Sequence, residues 1–162
     1  MKLNKDIKIF LAGHNGMVGS AILKKLKDYG FKKIITRNRK NLDLTNQEKT
    51  FKFLKKHKPY FVIIAAAKVG GIGANNKFKD QFIYENLQIQ NNIIHGSFLA
   101  GVKNLFLLGS SCIYPKKCKQ PMKEKYLLTG PLEETNDAYA IAKIAGLKMC
   151  EFYSKLHNLN FK

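Results

Sequence analysis

Short, mostly apolar runs that alternate with amphipathic stretches constrain this 162-residue chain most. Ile7 to Ala12, Lys33 to Thr36, Phe61 to Ala66 and Leu105 to Leu108 read as strands. The third is apolar at every position, so it has no solvent-facing side and belongs in a sheet covered on both faces. Between the strands lie helical patterns. Val18, Ile22 and Leu26 recur at helical spacing up to Gly30. A second helix follows Asp43-Leu44-Thr45-Asn46 and runs to about His57, with Phe51 and Leu54 inward. A long helix spans about Asp80 to Ala100, and a last one runs from Asn136 or Asp137 to near His157. Strand–helix alternation of this kind predicts a Rossmann-type α/β fold, a parallel sheet with helices on both faces, in one domain over residues 1–162. Val69 to Gly73 reads as a glycine-rich loop. The 25-residue connection from Ser110 to Glu134 is long enough to suggest a function. The chain stops at Asn160-Phe161-Lys162, where a fifth strand should begin, so the fold is expected to be incomplete, truncated before that strand and with an open edge on the fourth.

The first strand leads into Gly13-His14-Asn15-Gly16-Met17-Val18-Gly19, a G-x-x-G-x-x-G pattern that opens a helix. Glycines here allow a tight turn, close approach of a pyrophosphate and close helix–strand packing, and the helix N-terminus presents free N–H groups to phosphate. Glycine patterns are common in loops, but the position between strand and helix of a first βαβ unit supports dinucleotide binding. The end of the second strand discriminates between cofactors. An acidic side chain there would favour NAD, and an arginine favours the 2′-phosphate of NADP. The chain has Thr36-Arg37-Asn38-Arg39-Lys40 and no acid before Asp43. Arg37 and Arg39 are its only arginines among 29 basic residues, which suggests a use for forked, bidentate geometry rather than for charge alone. NADP(H) is the expected cofactor.

Tyr139-Ala140-Ile141-Ala142-Lys143 is a Y-x-x-x-K pattern in the last helix, and positions i and i+4 share a face. A cation beside the phenol should lower its pKa from about 10 and equip it to donate a proton to a carbonyl oxygen. Such spacing also arises by chance, with the tyrosine at a core edge and the lysine in solvent. Gly109-Ser110-Ser111 at a strand end gives it weight, because open α/β sheets bind ligands at that end.

The formal net charge of +18 would attract anionic ligands. The lysines are scattered, with only a short cluster at Lys116, Lys117 and Lys119, and no stacking platform accompanies them, so nucleic acid is the least favoured partner. Three cysteines, Cys112, Cys118 and Cys150, form no paired pattern and no zinc-ligand set. No apolar stretch reaches the roughly 18 residues of a membrane span, and no signal peptide is evident, so a soluble cytoplasmic protein is expected.

Together the glycine loop, the terminal serine and Y-x-x-x-K resemble the extended short-chain dehydrogenase/reductase family. The longer segments Ala65 to Ile72, Phe82 to Asn86, Leu108 to Lys116 and Tyr139 to Gly146 are similar to the GDP-L-fucose synthase family within it. That resemblance implies an NADPH-dependent 3,5-epimerisation and 4-reduction of GDP-4-keto-6-deoxy-D-mannose. It implies Tyr139 as proton donor, Lys143 as its electrostatic partner and ribose ligand, Ser110 as hydrogen-bond partner of the sugar 4-oxygen, and Cys112 as base. A thiolate can remove the acidic protons alpha to a ketone near neutral pH, although a free cysteine is more often an inert buried thiol. Gly13, His14, Asn15, Gly16, Met17, Val18, Gly19, Arg37, Arg39, Leu108, Gly109, Ser110 and Lys143 are the implied cofactor contacts. Asn15 departs from the arginine usual in that loop. The family is about twice as long, and its remainder holds a substrate domain, most nucleotide-sugar contacts and a histidine acid. The chain alone is therefore expected to have little or no synthase activity. A homodimer through the Tyr139 helix is a further implication. A non-catalytic dinucleotide-binding fragment, or another nucleotide-sugar epimerase or dehydratase of the superfamily, remains open at this point.

Overall fold

A computed structural model describes residues 4–162. Five parallel strands stand in the order β2-β1-β3-β4-β5. They are β1 (Lys8–Ala12), β2 (Lys33–Ile35), β3 (Phe61–Ile64), β4 (Asn104–Leu107) and β5 (Asn160–Phe161). The helices are α1 (Met17–Asp28), α2 (Gln47–His57), α3 (Ile72–Lys77), α4 (Lys79–Leu99) and α5 (Asp137–His157). Two single-turn 3-10 helices, Ser111–Ile113 and Glu124–Tyr126, punctuate the long connection before α5.

Strand order fixes where the cleft must be. From β1 the chain first moves outward to β2, then crosses back over β1 to β3 and continues to β4 and β5. Crossovers of one hand therefore place α1 on one face and α2, α4 and α5 on the other. Between β1 and β3 the direction reverses, and the diverging loops leave a crevice at the strands' C-terminal ends. The main core lies on the three-helix face. Val62 and Ile64 of β3 and Leu105 and Leu107 of β4 pack there with Leu54, Ile93, Ile94, Cys150 and Phe161, all buried.

Helix α4 is unusual for a central helix. Beside Phe82, Ile93 and Ile94 it buries Asn86, Gln90, Asn92 and Ser97. Three of these amides tie neighbouring segments down. The Asn86 amide accepts from the Lys68 N–H (2.8 Å) and donates to the Lys68 carbonyl (2.9 Å), so it pairs with a loop residue as a strand would. Asn92 donates to the carbonyls of Leu44 (2.9 Å) and Thr45 (3.0 Å). Gln90 donates to the Ala142 carbonyl of α5. Close helix approach is set by glycines. A Cβ on Gly146 would stand 2.6 Å from Gln90 Oε1, and one on Gly96 would stand 2.8 Å from the Phe51 ring.

Several details differ from the sequence reading. The fifth strand is already present: Asn160 donates to Lys103 O (2.9 Å), Lys162 donates to Leu105 O (2.9 Å), and Ser154 Oγ both accepts from Phe161 N and donates to Phe161 O. The outer edge of β4 is thus paired over these residues rather than open. The glycine-rich segment after β3 is only partly loop, since α3 begins at Ile72. Val18 does not join the inward face of α1. It is 49 % exposed, whereas Ile22, Leu23 and Leu26 carry the contact with the sheet. The strand ends at Ile64 rather than at Ala66; Ala65 still donates to Ala12 O (2.9 Å), and Ala65 and Ala66 pass close to Gly13. Among the described residues no helix is long and apolar enough to cross a membrane.

The pairing of Asn86 with both polar groups of Lys68 gives a stability prediction. Asn86→Ala should destabilise the chain by roughly 2 kcal/mol or more, because each buried group left unpaired costs about 1–3 kcal/mol. Asn91→Ala, on the exposed side of the same helix, should change stability little. Urea unfolding of the two variants, followed by circular dichroism, would compare them.

Candidate functional site

A cavity of about 560 Å³ opens over the C-terminal ends of β1, β2, β3 and β4. Its floor begins at Gly13, which adopts φ +87° at the end of β1. An added Cβ there would stand 2.5 Å from the Ala66 nitrogen, so two backbones cross where no side chain can stand. A Cβ on Gly19 would overlap the Gly13 carbonyl, and this lack of a side chain lets α1 begin directly against the loop. Gly16 donates its N–H to Gly13 O at 3.1 Å and closes the turn. Met17 (87 % exposed) and Val18 stand at the start of α1 and line the opening.

These features provide a test of whether the residues fit a dinucleotide. The glycine floor holds a space that side chains would fill, next to the N-terminus of a three-turn helix, the usual setting for a phosphate. Nδ1 of His14 is buried in that loop with no hydrogen-bond partner. The cavity volume falls in the ordinary range for small-molecule sites. The residues fit the group.

Beyond β2, Arg37, Asn38 and Arg39 all line the cavity. Arg37 donates to the Thr36 carbonyl (2.7 Å), and its guanidinium stands 5.5 Å from the centroid of the Phe53 ring. Arg39 pairs with Glu85 of α4 at 3.4 Å. Next come Leu42, Asp43, Leu44 and Thr45, which the sequence reading did not assign. Burial works to raise the Asp43 pKa, but hydrogen bonds from Thr45 and the charges of Arg39 and Lys49 outweigh it and hold the carboxyl below its ordinary value. Ala65 to Val69 and Ile89 complete the wall and were also missed. The run Ala65-Ala66-Ala67 after a buried strand was the available signal, since small residues there leave room above the sheet.

At the far end of the cavity stand Leu108, Gly109, Tyr139 and Lys143. The Y-x-x-x-K reading is met geometrically: both residues lie on α5 and face the same space. Lys143 is only 4 % exposed. Its Nζ donates to the Leu108 carbonyl at 2.9 Å and lies 5.7 Å from the Tyr139 ring centroid. Burial pushes its pKa down, while the nearby Cys112 works in the opposite direction. The Tyr139 phenol is pushed up, by burial first and by Cys112 second. This reverses the expected lowering. The ammonium is held on a carbonyl and over the ring, so desolvation governs the phenol.

Ser110 and Cys112 are both half-buried and adjoin this end, but they do not line the cavity. Ser110 Oγ accepts from the Cys112 N–H at 3.4 Å and so caps the 3-10 turn that carries the thiol. The two are thus brought together, and Cys112 is near enough to act electrostatically on Tyr139 and Lys143. Cys150 is different: it is buried in the core, and burial pushes its thiol up to about 12. Cys118 lies in the long connection, away from the cleft, beside Lys117 and Lys119. Among the described residues no group of three or more His, Cys, Asp or Glu could hold a metal ion.

The chain is 56 % identical over 154 residues to a GDP-L-fucose synthase of Sinorhizobium fredii, covering 95 % of this chain and 49 % of that protein. It is 54 % identical to GDP-L-fucose synthase 1 of Arabidopsis thaliana, covering 95 % and 48 %. It therefore spans about half the length of the curated relatives it matches. Among solved structures, a GDP-mannoheptose C4 reductase of Campylobacter jejuni with NADP bound superposes with a TM-score of 0.95 at 43 % identity, covering 99 % of this chain and 51 % of that one. A GDP-L-fucose synthetase of Naegleria fowleri bound to NADP gives 0.85 at 31 % identity, covering 96 % and 50 %. A sequence model of the NAD dependent epimerase/dehydratase family matches residues 9–162, and the chain belongs to that family.

Proposed function

We propose that this chain forms the NADP(H)-binding part and one side of the reaction centre of a GDP-L-fucose synthase, which epimerises GDP-4-keto-6-deoxy-D-mannose at C3 and C5 and reduces it at C4. One observation carries the reading: a single cavity runs from the glycine floor and Arg37 to Tyr139 and Lys143. In this reading the backbone of Gly13 to Gly19 receives the pyrophosphate, and Arg37 and Arg39 receive the 2′-phosphate. Asn15 in the glycine loop is too short for the contact an arginine would make. Relatives named as GDP-L-fucose synthases at 54–56 % identity support the substrate class.

When bound, the reduced dinucleotide supplies a hydride. This chain's residues handle the protons. Tyr139 is the proton donor to the sugar 4-oxygen, and its raised pKa keeps the phenol protonated until an alkoxide forms. Lys143, anchored on Leu108 O, presents its remaining N–H groups to a ribose hydroxyl and steadies the phenol by its charge. Ser110 Oγ accepts from the Cys112 N–H and keeps its hydroxyl proton for donation to the same sugar oxygen. Cys112, as the thiolate, removes the proton alpha to the ketone, where the resulting carbanion delocalises as an enolate, and an acid from the remainder of the synthase returns a proton to the opposite face of that carbon.

A second reading is reduction alone of a GDP-keto-heptose, favoured by the 0.95 TM-score to the GDP-mannoheptose C4 reductase. The two readings share Tyr139 and Lys143 and differ in whether Cys112 acts as a base.

Calorimetric titration of the purified chain should give tighter binding of NADPH than of NADH, and Gly19→Val should abolish both. A folded sample that binds neither nucleotide overturns the reading. In a preparation that turns over the keto sugar, Cys112→Ser should stop solvent deuterium incorporation at C3 and C5 and leave reduction of the epimerised sugar. Tyr139→Phe should slow reduction about a hundredfold or more and leave the exchange. Deuterium exchange that persists unchanged in Cys112→Ser would favour another base.

A further inference from the structure

The two arginines at the cleft are not in equivalent states. Arg37 has no ion pair among the described residues and rests against Phe53. Arg39 is committed to Glu85 at 3.4 Å, and Asp43 also lies within its electrostatic reach. Glu85 is itself fixed. Its other carboxylate oxygen receives Lys68 Nζ at 2.5 Å, and Lys68 also donates to Gln81 one turn earlier on α4. The Lys68 backbone is pinned by Asn86. Glu85 thus has 20 % side-chain exposure and two cationic partners, whereas Arg39 has 73 % and could swing away. The chain Arg39–Glu85–Lys68 joins the loops after β2 and β3, the two strands that flank β1 at the crevice.

We propose that Glu85 is a specificity-determining residue: a fixed carboxylate that competes with a dinucleotide's 2′-phosphate for Arg39 and so narrows the preference for NADPH over NADH. The inference rests on the proposed dinucleotide reading of the cleft. A 2′-phosphate carries nearly two negative charges and must either draw Arg39 from Glu85 or share it. NADH presents only a hydroxyl at that position, so it meets no such competition. Arg37, free of a carboxylate, supplies the larger part of the discrimination.

The test uses the full chain, with NADPH and NADH titrated separately by calorimetry. Glu85→Gln keeps a hydrogen-bond acceptor for Lys68 and removes the charge. The ratio of NADH to NADPH dissociation constants should rise about threefold or more, the scale of a released exposed ion pair. In an Arg39→Met background the same substitution should leave the ratio unchanged. An unchanged ratio in the single variant overturns the proposal. A fallen ratio does too, since it would mean that Glu85 holds Arg39 in its binding position. Should Glu85→Gln fail to fold, judged by circular dichroism, Arg37→Met and Arg39→Met decide. The proposal requires the larger loss of NADPH preference from Arg37→Met, and an equal or larger loss from Arg39→Met refutes it. Binding of neither nucleotide by the unaltered chain overturns the dinucleotide reading itself, a result distinct from all of these.

Discussion

Everything in the cleft depends on one close approach of backbone to backbone. At the end of β1, Gly13 passes the Ala65–Ala66 segment at a distance that leaves room for hydrogen but not for carbon, and Gly19 passes Gly13 in the same way. The first contact seats the loop low between β1 and β3. The second pulls the start of α1 down onto that loop, so its first residues, Met17 to Gly19, line the cavity with no side-chain cap on the helix N-terminus. The positive φ of Gly13 adds a conformational reason to the steric one. A methyl group at Gly19 would push α1 outward and leave the topology intact while spoiling the site.

Much of this was legible in the residues. Both glycines and the strand before them mark the crevice, and Tyr139 and Lys143 mark its other end, because helical periodicity alone puts i and i+4 on one face. Other features were not legible for physical reasons. Val18 has the right spacing for a buried position but sits in the first turn, where the helix has already left the sheet for the cavity. The fifth strand is two residues long, too short for any periodicity to register, and is defined by hydrogen bonds to β4 and by Ser154 rather than by its own composition. Helix α3 begins at Ile72 amid glycines that suggest a loop, and Asn75 holds its start by donating to the carbonyls of Gly70 and Gly71.

The walls of the cleft were hidden for a different reason. Residues 42–45 and 65–69 follow no motif that marks a site, and what makes them a surface is the buried amide set on α4. A polar residue inside a helix pattern ordinarily lowers confidence in its burial. Here Asn86 and Asn92 are buried because loops at strand ends have backbone groups that no ladder can satisfy, and a side-chain amide offers both donor and acceptor. The same helix holds Glu85 at the cleft margin. One element therefore sets the shape of two loops and supplies the carboxylate that pairs with the arginine between them.

At the reaction end, the proposed division of labour between Cys112 and Tyr139 follows from their mutual repulsion as anions. Burial raises the phenol's pKa, and a thiolate at Cys112 raises it further. The site therefore disfavours a state in which both groups are deprotonated. While the thiol acts as base, the phenol keeps its proton, as an acid awaiting a later step must. Lys143 counters both anions; burial lowers its pKa, and a thiolate at Cys112 works against that lowering, while its ammonium is held on the Leu108 carbonyl. Fixing that ammonium on a backbone carbonyl, rather than on the phenol oxygen, leaves the phenol free to aim at a substrate. The lysine then acts through its field and its remaining donors. In this arrangement the raised pKa of Tyr139 is a condition of its role as acid.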